Sequence, residues 1–140
     1  MVEYEEKESL LRDKKRPSGA RTILRLHRAL KFFSSFMREV SQVEDTVCTG
    51  PLARECYRKT LAKHHTWLIQ KTASVAMYAL PTRDGLVEKA FVKTDFQSSG
   101  DKQAEWKRHS DEMEKMAKFA DKVYDLVDQY FNEKNLHDLP

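Results

Sequence analysis

The sequence predicts an all-α protein, and two observations carry that prediction. The 140-residue chain contains only four glycines and four prolines, too few for collagen-like, linker-like or many-stranded architectures. Apolar side chains recur at steps of three and four over residues 20–41 and 105–131, which is the spacing of a helix with one apolar face. No segment alternates convincingly as a strand would, and the length suits one compact domain.

Breaks that contain proline or glycine separate the predicted helices. Ser18 follows Pro17 and can cap the next helix, because its hydroxyl can accept a backbone N–H. Pro51 suits the first turn of a further helix. We therefore expect the end of a helix at 1–16, helices at 20–41, 51–79 and around 86–91, a polar loop at 93–103, and a last helix at 105–131.

The apolar stripe of the helix at 20–41 is the clearest pattern in the chain. Phe32 and Phe36 widen it, so this helix is expected to face a broad apolar environment. The stripe consists of Ile23, Leu26, Leu30, Phe33, Met37 and Val40.

Positive charge is concentrated near the start of the chain, although the net charge is only +3. Residues 12–31 hold eight basic residues and one acid, which indicates a local anion-facing surface. Arg21, Arg25 and Arg28 project from one helix face, because they are spaced by four and three residues. This face is either solvated and inert or an anion site, since guanidinium groups bind phosphate with charge-assisted bonds.

The sequence gives no support for a metal site, a cofactor or a catalytic residue. His64 and His65 point roughly 100° apart on a helix and cannot chelate one ion together. No glycine-rich phosphate loop, nucleophile elbow or paired-carboxylate motif is present. Cys56 is expected in the core, and with Cys48 it is too little for a disulfide framework.

Membrane-spanning and nucleic-acid-binding classes are also disfavoured. No stretch approaches the ~20 apolar residues that span a bilayer, and the acidic N-terminus does not resemble a signal peptide. The aromatic side chains of the basic helix lie on its apolar side, where bases could not reach them. We therefore expect a cytosolic protein that does not bind nucleic acid.

Three segments of the chain resemble the glycolipid transfer protein family. They are SGARTILRLHRAL (18–30), HTWLIQKTASVAMYALPTR (65–83) and the closing LHDLP. The similarity is greatest to the members that carry ceramide-1-phosphate, which have arginines at the positions of Arg21 and Arg25. Glycolipid-carrying members have a tryptophan in place of Arg25. The exchange is chemically reasonable, because a flat ring suits a sugar face and a cationic fork suits a phosphate.

The resemblance implies a two-layer helical sandwich that encloses the chains of a sphingolipid and transfers it between membranes without catalysis. Arg21 and Arg25 would bind the phosphate, and His65, followed by Trp67, would bond the ceramide amide. The proline common between those two positions is Thr66 here. The implied ligand is ceramide-1-phosphate or a related phosphosphingolipid, the protein would touch membranes transiently, and the implied pocket residues are Leu26, Leu30, Phe33, Phe36, Met37 and Val75.

The family's domain begins well before the position of Met1, and its earlier helices carry an aspartate and a lysine that complete the polar site. Residues 1–16 match no such motif. We therefore expect residues 1–140 to be a C-terminal part of the domain, with a pocket that lacks one wall. The alternative is a helical interaction module that binds a protein partner or an anionic membrane surface through residues 12–31. Salt should weaken that surface binding but leave a buried lipid in place.

Overall fold

The computed structural model describes residues 1–90 and 101–140, and these residues form six α-helices and no β-strand. The prediction of an all-α fold is thus confirmed. A 3₁₀ turn at Ala62–His64 separates the third and fourth helices. No helix in the described ranges combines the length and the apolar character needed to cross a bilayer. The helices are α1 (Val2–Lys7), α2 (Gly19–Ser41), α3 (Thr49–Thr60), α4 (Trp67–Met77), α5 (Arg83–Ala90) and α6 (Lys102–Glu133).

The two long helices, α2 and α6, pack antiparallel and form the centre of the structure. Leu24, near the start of α2, shares a buried cluster with Phe131, near the end of α6. At the other end, Arg38 Nη2 donates to Asp121 Oδ2 at 2.6 Å, and Ser34 Oγ donates to Asp121 Oδ1 at 2.8 Å. Burial raises the pKa of Asp121, but these bonds outweigh it and bring the pKa down to about 2. Asp121 is therefore a charged link between the helices.

The buried face of α2 is rotated away from the apolar stripe that the sequence displays. Of the six stripe residues only Val40 is fully buried, and Leu26 is 64% exposed. The face toward α6 includes small residues such as Ala20 and Ser34, and small side chains allow two helices to approach closely. The apolar stripe is therefore only partly covered by the rest of the protein. The buried positions of α2 are Ala20, Arg21, Leu24, His27, Ser34, Phe36, Val40 and Ser41.

Two apolar clusters hold the remaining elements against this pair. The first contains Val2 of α1 and the C-terminal tail, which does not extend α6 but folds back over it. The second joins α2 to α3, α5 and α6. The first cluster consists of Val2, Ala20, Leu24, Phe131, Leu136 and Leu139, and the second of Phe36, Val40, Ala53, Cys56, Val87 and Met113.

Helix α1 is shorter than the helix predicted for residues 1–16, but it anchors the start of α2. Ser18 caps α2 as predicted, since its Oγ accepts the N–H of Arg21 at 3.2 Å. The buried carboxylate of Glu5 accepts from Ser18 Oγ at 2.6 Å, from the N–H of Gly19 at 2.7 Å and from the N–H of Ala20 at 3.3 Å. A negative charge is thus fixed at the positive end of the helix dipole.

The prediction of one helix over 51–79 is wrong. Helix α3 ends at Thr60, and His65 and Thr66 adopt extended backbone conformations before α4 begins. Gln70 stabilises the break, because its Nε2 donates to the carbonyls of Ala62 at 2.7 Å and of His65 at 2.9 Å. The apolar periodicity of the sequence continues across the break and therefore does not reveal it.

Helices α5 and α6 extend beyond the predicted ranges where the structure describes them. Helix α6 begins at Lys102, since Asp101 Oδ1 accepts the N–H groups of Gln103 and Ala104 at 3.0 and 3.2 Å. Helix α5 begins at Arg83, while Phe91 and residues 93–100 of the predicted loop lie outside the described ranges.

Arg83 is fully buried and joins α5 to the ends of α2 and α6. Its guanidinium donates to the carbonyl of Val40 at 3.2 Å and to Ser110 Oγ at 2.7 Å. It also pairs with the carboxylate of Asp45, in the segment between α2 and α3. This side chain therefore closes the α2–α3 connection over the second cluster.

Candidate functional site

The predicted phosphate ligands lie on successive turns of α2 but differ in their surroundings. Arg21 is buried, and its guanidinium donates to the carbonyl of Arg16. Arg25 is exposed and has no hydrogen-bond or ion-pair partner among the described residues. A guanidinium carries five N–H donors, so Arg21 retains donors beyond the one it uses. Of the two, Arg25 is the group with its full bonding capacity available.

Arg28 completes the row, and the C-terminal tail holds it in place. Its Nη2 donates to the carbonyl of His137 at 2.7 Å. Burial lowers the pKa of Arg28, and the neighbouring charge of Arg25 lowers it further. Burial also lowers the pKa of His64, with Arg28 as the next cause. The 3₁₀ turn therefore lies within electrostatic range of Arg28, whose charge disfavours protonation of His64.

His65 lies at the end of the 3₁₀ turn and is bonded to α3. Its Nδ1 is 2.7 Å from the hydroxyl oxygen of Tyr57. Tyr57 is only 4% exposed, and its ring meets Phe32 of α2 edge-on at 6.5 Å between centroids. The structure thus connects His65 through Tyr57 to the apolar side of the helix that carries the arginines.

The six predicted pocket residues divide into three groups. Leu30, Phe33 and Met37 are half buried along α2. Leu26 on α2 and Val75 on α4 are exposed, with 68% of Val75 open to solvent. Phe36 is buried in the second cluster beside Val40.

A cavity of about 440 Å³ opens between α3 and α4 and is separate from the predicted pocket. Its wall contains three cations and several polar side chains, so its chemistry does not suit lipid chains. None of the six predicted pocket residues contributes to it. It is lined by Pro51, Arg54, Glu55, Tyr57, Arg58, Ala62, Gln70, Lys71 and Ser74.

Helix α4 presents several large apolar side chains to solvent. Trp67 is 69% exposed, and Leu68 and Ile69 are also exposed. Lys71 Nζ lies 5.9 Å from the centroid of the Trp67 ring. Contiguous exposed apolar side chains of this kind mark interaction surfaces. In the part of the chain that the structure describes, no group of three or more His, Cys, Asp or Glu residues could hold a metal ion.

The model of the glycolipid transfer protein (GLTP) family matches residues 1–92. The chain belongs to the glycolipid transfer protein family. Ceramide-1-phosphate transfer proteins are among its relatives: that of Xenopus tropicalis is 35% identical over 148 residues, and that of Rattus norvegicus is 32% identical over 146. Each alignment covers 100% of this chain and 62% of the relative. The chain therefore spans less than two thirds of the length of these relatives.

Solved structures of the GLTP family have the same fold. Mouse ceramide-1-phosphate transfer protein in its apo form superposes with a TM-score of 0.80 at 30% identity, covering 99% of this chain and 63% of that one. The human protein in complex with 2:0 ceramide-1-phosphate gives a TM-score of 0.77 at 28% identity, covering 100% and 64%. The predicted GLTP-type helical fold is thus confirmed.

Sequence reasoning missed two contacts of this site. Tyr57 is eight residues from His65, and no sequence signal pairs them, because the break between α3 and α4 brings them together. The bond from Arg28 to the tail could not be predicted from the sequence either, although the spacing did predict the position of Arg28 in the arginine row.

Proposed function

We propose that this chain binds ceramide-1-phosphate, or a closely related phosphosphingolipid, and takes part in its transfer between membranes. The exposed guanidinium of Arg25, with no partner among the described residues, is the observation that carries the proposal. Family membership supports it, as does the similarity to relatives named ceramide-1-phosphate transfer protein.

The arginine row supplies the charge that a phosphate monoester requires. Arg25 would bind the phosphate directly, and Arg21 would contribute the donors that its bond to the Arg16 carbonyl leaves available. Hydrogen bonds to charged groups contribute about 1.5–3 kcal/mol each.

The rest of the lipid would be held by His65 and by the half-open apolar side of α2. His65 would bond the ceramide amide. Leu30, Phe33 and Met37 would contact the hydrocarbon chains, and Leu26 and Val75 would lose their exposure when lipid is bound. Phe36 would support this wall from the second cluster. Burying apolar surface contributes roughly 25 cal/mol per Å², so the chains would supply most of the affinity.

Transfer of this kind requires binding and release but no bond-breaking step, so we propose no catalytic residue and no cofactor. Residues 1–140 would act as part of a lipid-transfer domain in the cytosol. Contact with membranes would be transient and peripheral, and the exposed Trp67 and Leu68 of α4 suit such contact.

The test compares Arg25→Leu with Arg12→Leu, which removes an exposed cation from the same basic segment. Binding and transfer of fluorescent ceramide-1-phosphate are measured between vesicles, with unphosphorylated ceramide as a second cargo. We expect Arg25→Leu to lower affinity for the phosphorylated lipid about 10- to 150-fold, the equivalent of one charge-assisted bond. Arg12→Leu should change it less than twofold, and binding of unphosphorylated ceramide should be the same for both.

Two outcomes would count against the proposal. Failure of the unaltered chain to bind ceramide-1-phosphate would contradict it directly. Equal, salt-sensitive losses in both variants would support the alternative, in which residues 12–31 bind a protein partner or an anionic membrane surface without enclosing a lipid.

A further inference from the structure

Tyr57 lies beside the candidate amide ligand in a geometry that restricts what His65 can do. The hydroxyl oxygen of Tyr57 and Nδ1 of His65 are 2.7 Å apart, a normal hydrogen-bond distance. Either group could in principle supply the proton, because neutral imidazole has one N–H and one bare nitrogen. Which nitrogen carries it decides whether His65 offers its ligand a donor or an acceptor.

The surroundings of Tyr57 favour one direction. Burial raises the pKa of Tyr57, so its hydroxyl remains protonated. Among the described residues, its hydroxyl has hydrogen-bonding contact with His65 alone. If His65 donated from Nδ1, the O–H of a largely buried tyrosine would have no acceptor, at a cost in free energy. Donation from Tyr57 to Nδ1 satisfies both groups and places the imidazole proton on Nε2.

We propose that Tyr57 is a positioning residue that fixes His65 as a donor through Nε2–H, directed at a carbonyl oxygen of the bound lipid. The inference rests on the proposed function, because the acceptor is the ceramide amide carbonyl. The edge-on packing of Tyr57 against Phe32 restrains the tyrosine ring, and the hydroxyl then restrains the imidazole. The polar end of the lipid is thereby aligned with the apolar side of α2.

A double-mutant cycle separates this role from simple packing. Tyr57→Phe removes only the hydroxyl, and we expect it to weaken ceramide-1-phosphate binding roughly two- to tenfold, the effect of one neutral hydrogen bond. In a His65→Leu background the same change should have no further effect, because Tyr57 acts through the imidazole. Tyr78→Phe is the matched control, since it removes an exposed tyrosine hydroxyl that contacts Arg54. It should leave affinity unchanged.

A second measurement needs no lipid. Imidazole ¹⁵N shifts of His65 in the unaltered chain should show a protonated Nε2 and a bare, hydrogen-bonded Nδ1, and Tyr57→Phe should move the Nδ1 resonance. A proton on Nδ1, or a full additive loss from Tyr57→Phe in the His65→Leu background, would overturn the inference. If the unaltered chain bound no ceramide-1-phosphate, the proposed function would fail, while these spectra would still decide whether Tyr57 sets the tautomer.

Discussion

Replacing Glu5 with glutamine should destabilise the fold at the helix that carries the arginine row. The carboxylate accepts three hydrogen bonds from the start of α2, at 2.6, 2.7 and 3.3 Å. Glutamine keeps the size of the side chain, but its amide NH₂ would face one of these donors and could not accept a hydrogen bond from it. Stranding one buried donor costs about 1–3 kcal/mol, and loss of the anion at the helix N-terminus adds about 0.3–1 kcal/mol. We expect a total loss of about 2–3 kcal/mol.

The pH dependence of this effect gives a second signature. The Ser18 hydroxyl, followed by the backbone N–H groups, holds the pKa of Glu5 below its usual 4.5. Because the folded-state pKa is lower than the unfolded value, the stabilisation is complete above about pH 4.5. It is lost as the pH falls through the folded-state pKa. The stability gap between the unaltered chain and Glu5→Gln should therefore narrow in acid.

Denaturant unfolding monitored by circular dichroism, at about pH 7 and in acid, measures both quantities. Thermal unfolding should show a decrease of about 3–5 °C in Tm for each kcal/mol in a chain of this size. Glu3→Gln is the control, since Glu3 is an exposed residue of the same helix. A Glu5→Gln free energy within about 0.5 kcal/mol of the unaltered chain, or a gap that does not change with pH, would refute the capping argument.

Two further substitutions test the interior. Burial lowers the pKa of His27 below 6.5, despite the opposing charge of Asp128. The neutral imidazole therefore contributes fully to stability above about pH 6.5, and this contribution is lost as the pH falls through the folded-state pKa. The His27 ring stacks on the Tyr124 ring of α6 at 4.0 Å between centroids, and His27→Phe retains an aromatic ring there. Thermal unfolding of this variant should show a weaker fall in Tm between about pH 7 and 5, and an unchanged pH profile would contradict this. Arg83→Met should lower the free energy of unfolding, measured with denaturant, by about 3 kcal/mol. This value is near the lower end for a broken buried ion pair, because the partner Asp45 is partly hydrated. The exposed Lys89→Met is its control, and equal small losses in both would show that the Arg83 bonds contribute little.

Helix positions were predictable where a local signal existed. The steps of three and four in 20–41 and 105–131 predicted α2 and α6, and Ser18 identified the start of α2 because capping depends on the residue at that position. The break after α3 was not predictable, since it depends on the Gln70 amide reaching two carbonyls that only the folded turn brings within range. The end of α1 at Lys7 could not be predicted from the sequence either.

The sequence by itself determined the helical class, the family and the presence of an arginine row, because periodicity, motif and spacing are properties of neighbouring residues. Only the tertiary structure decided which face of α2 is buried. Packing against α6 buried Ala20 and Ser34 and left Leu26 exposed, since close approach of two helices depends on side-chain size as well as hydrophobicity. Tertiary contacts also bonded Arg28 to the tail, and the break between α3 and α4 placed the Tyr57 hydroxyl on His65, while Arg25 has no partner among the described residues. Such contacts join residues distant in sequence, so chain folding alone brings them together.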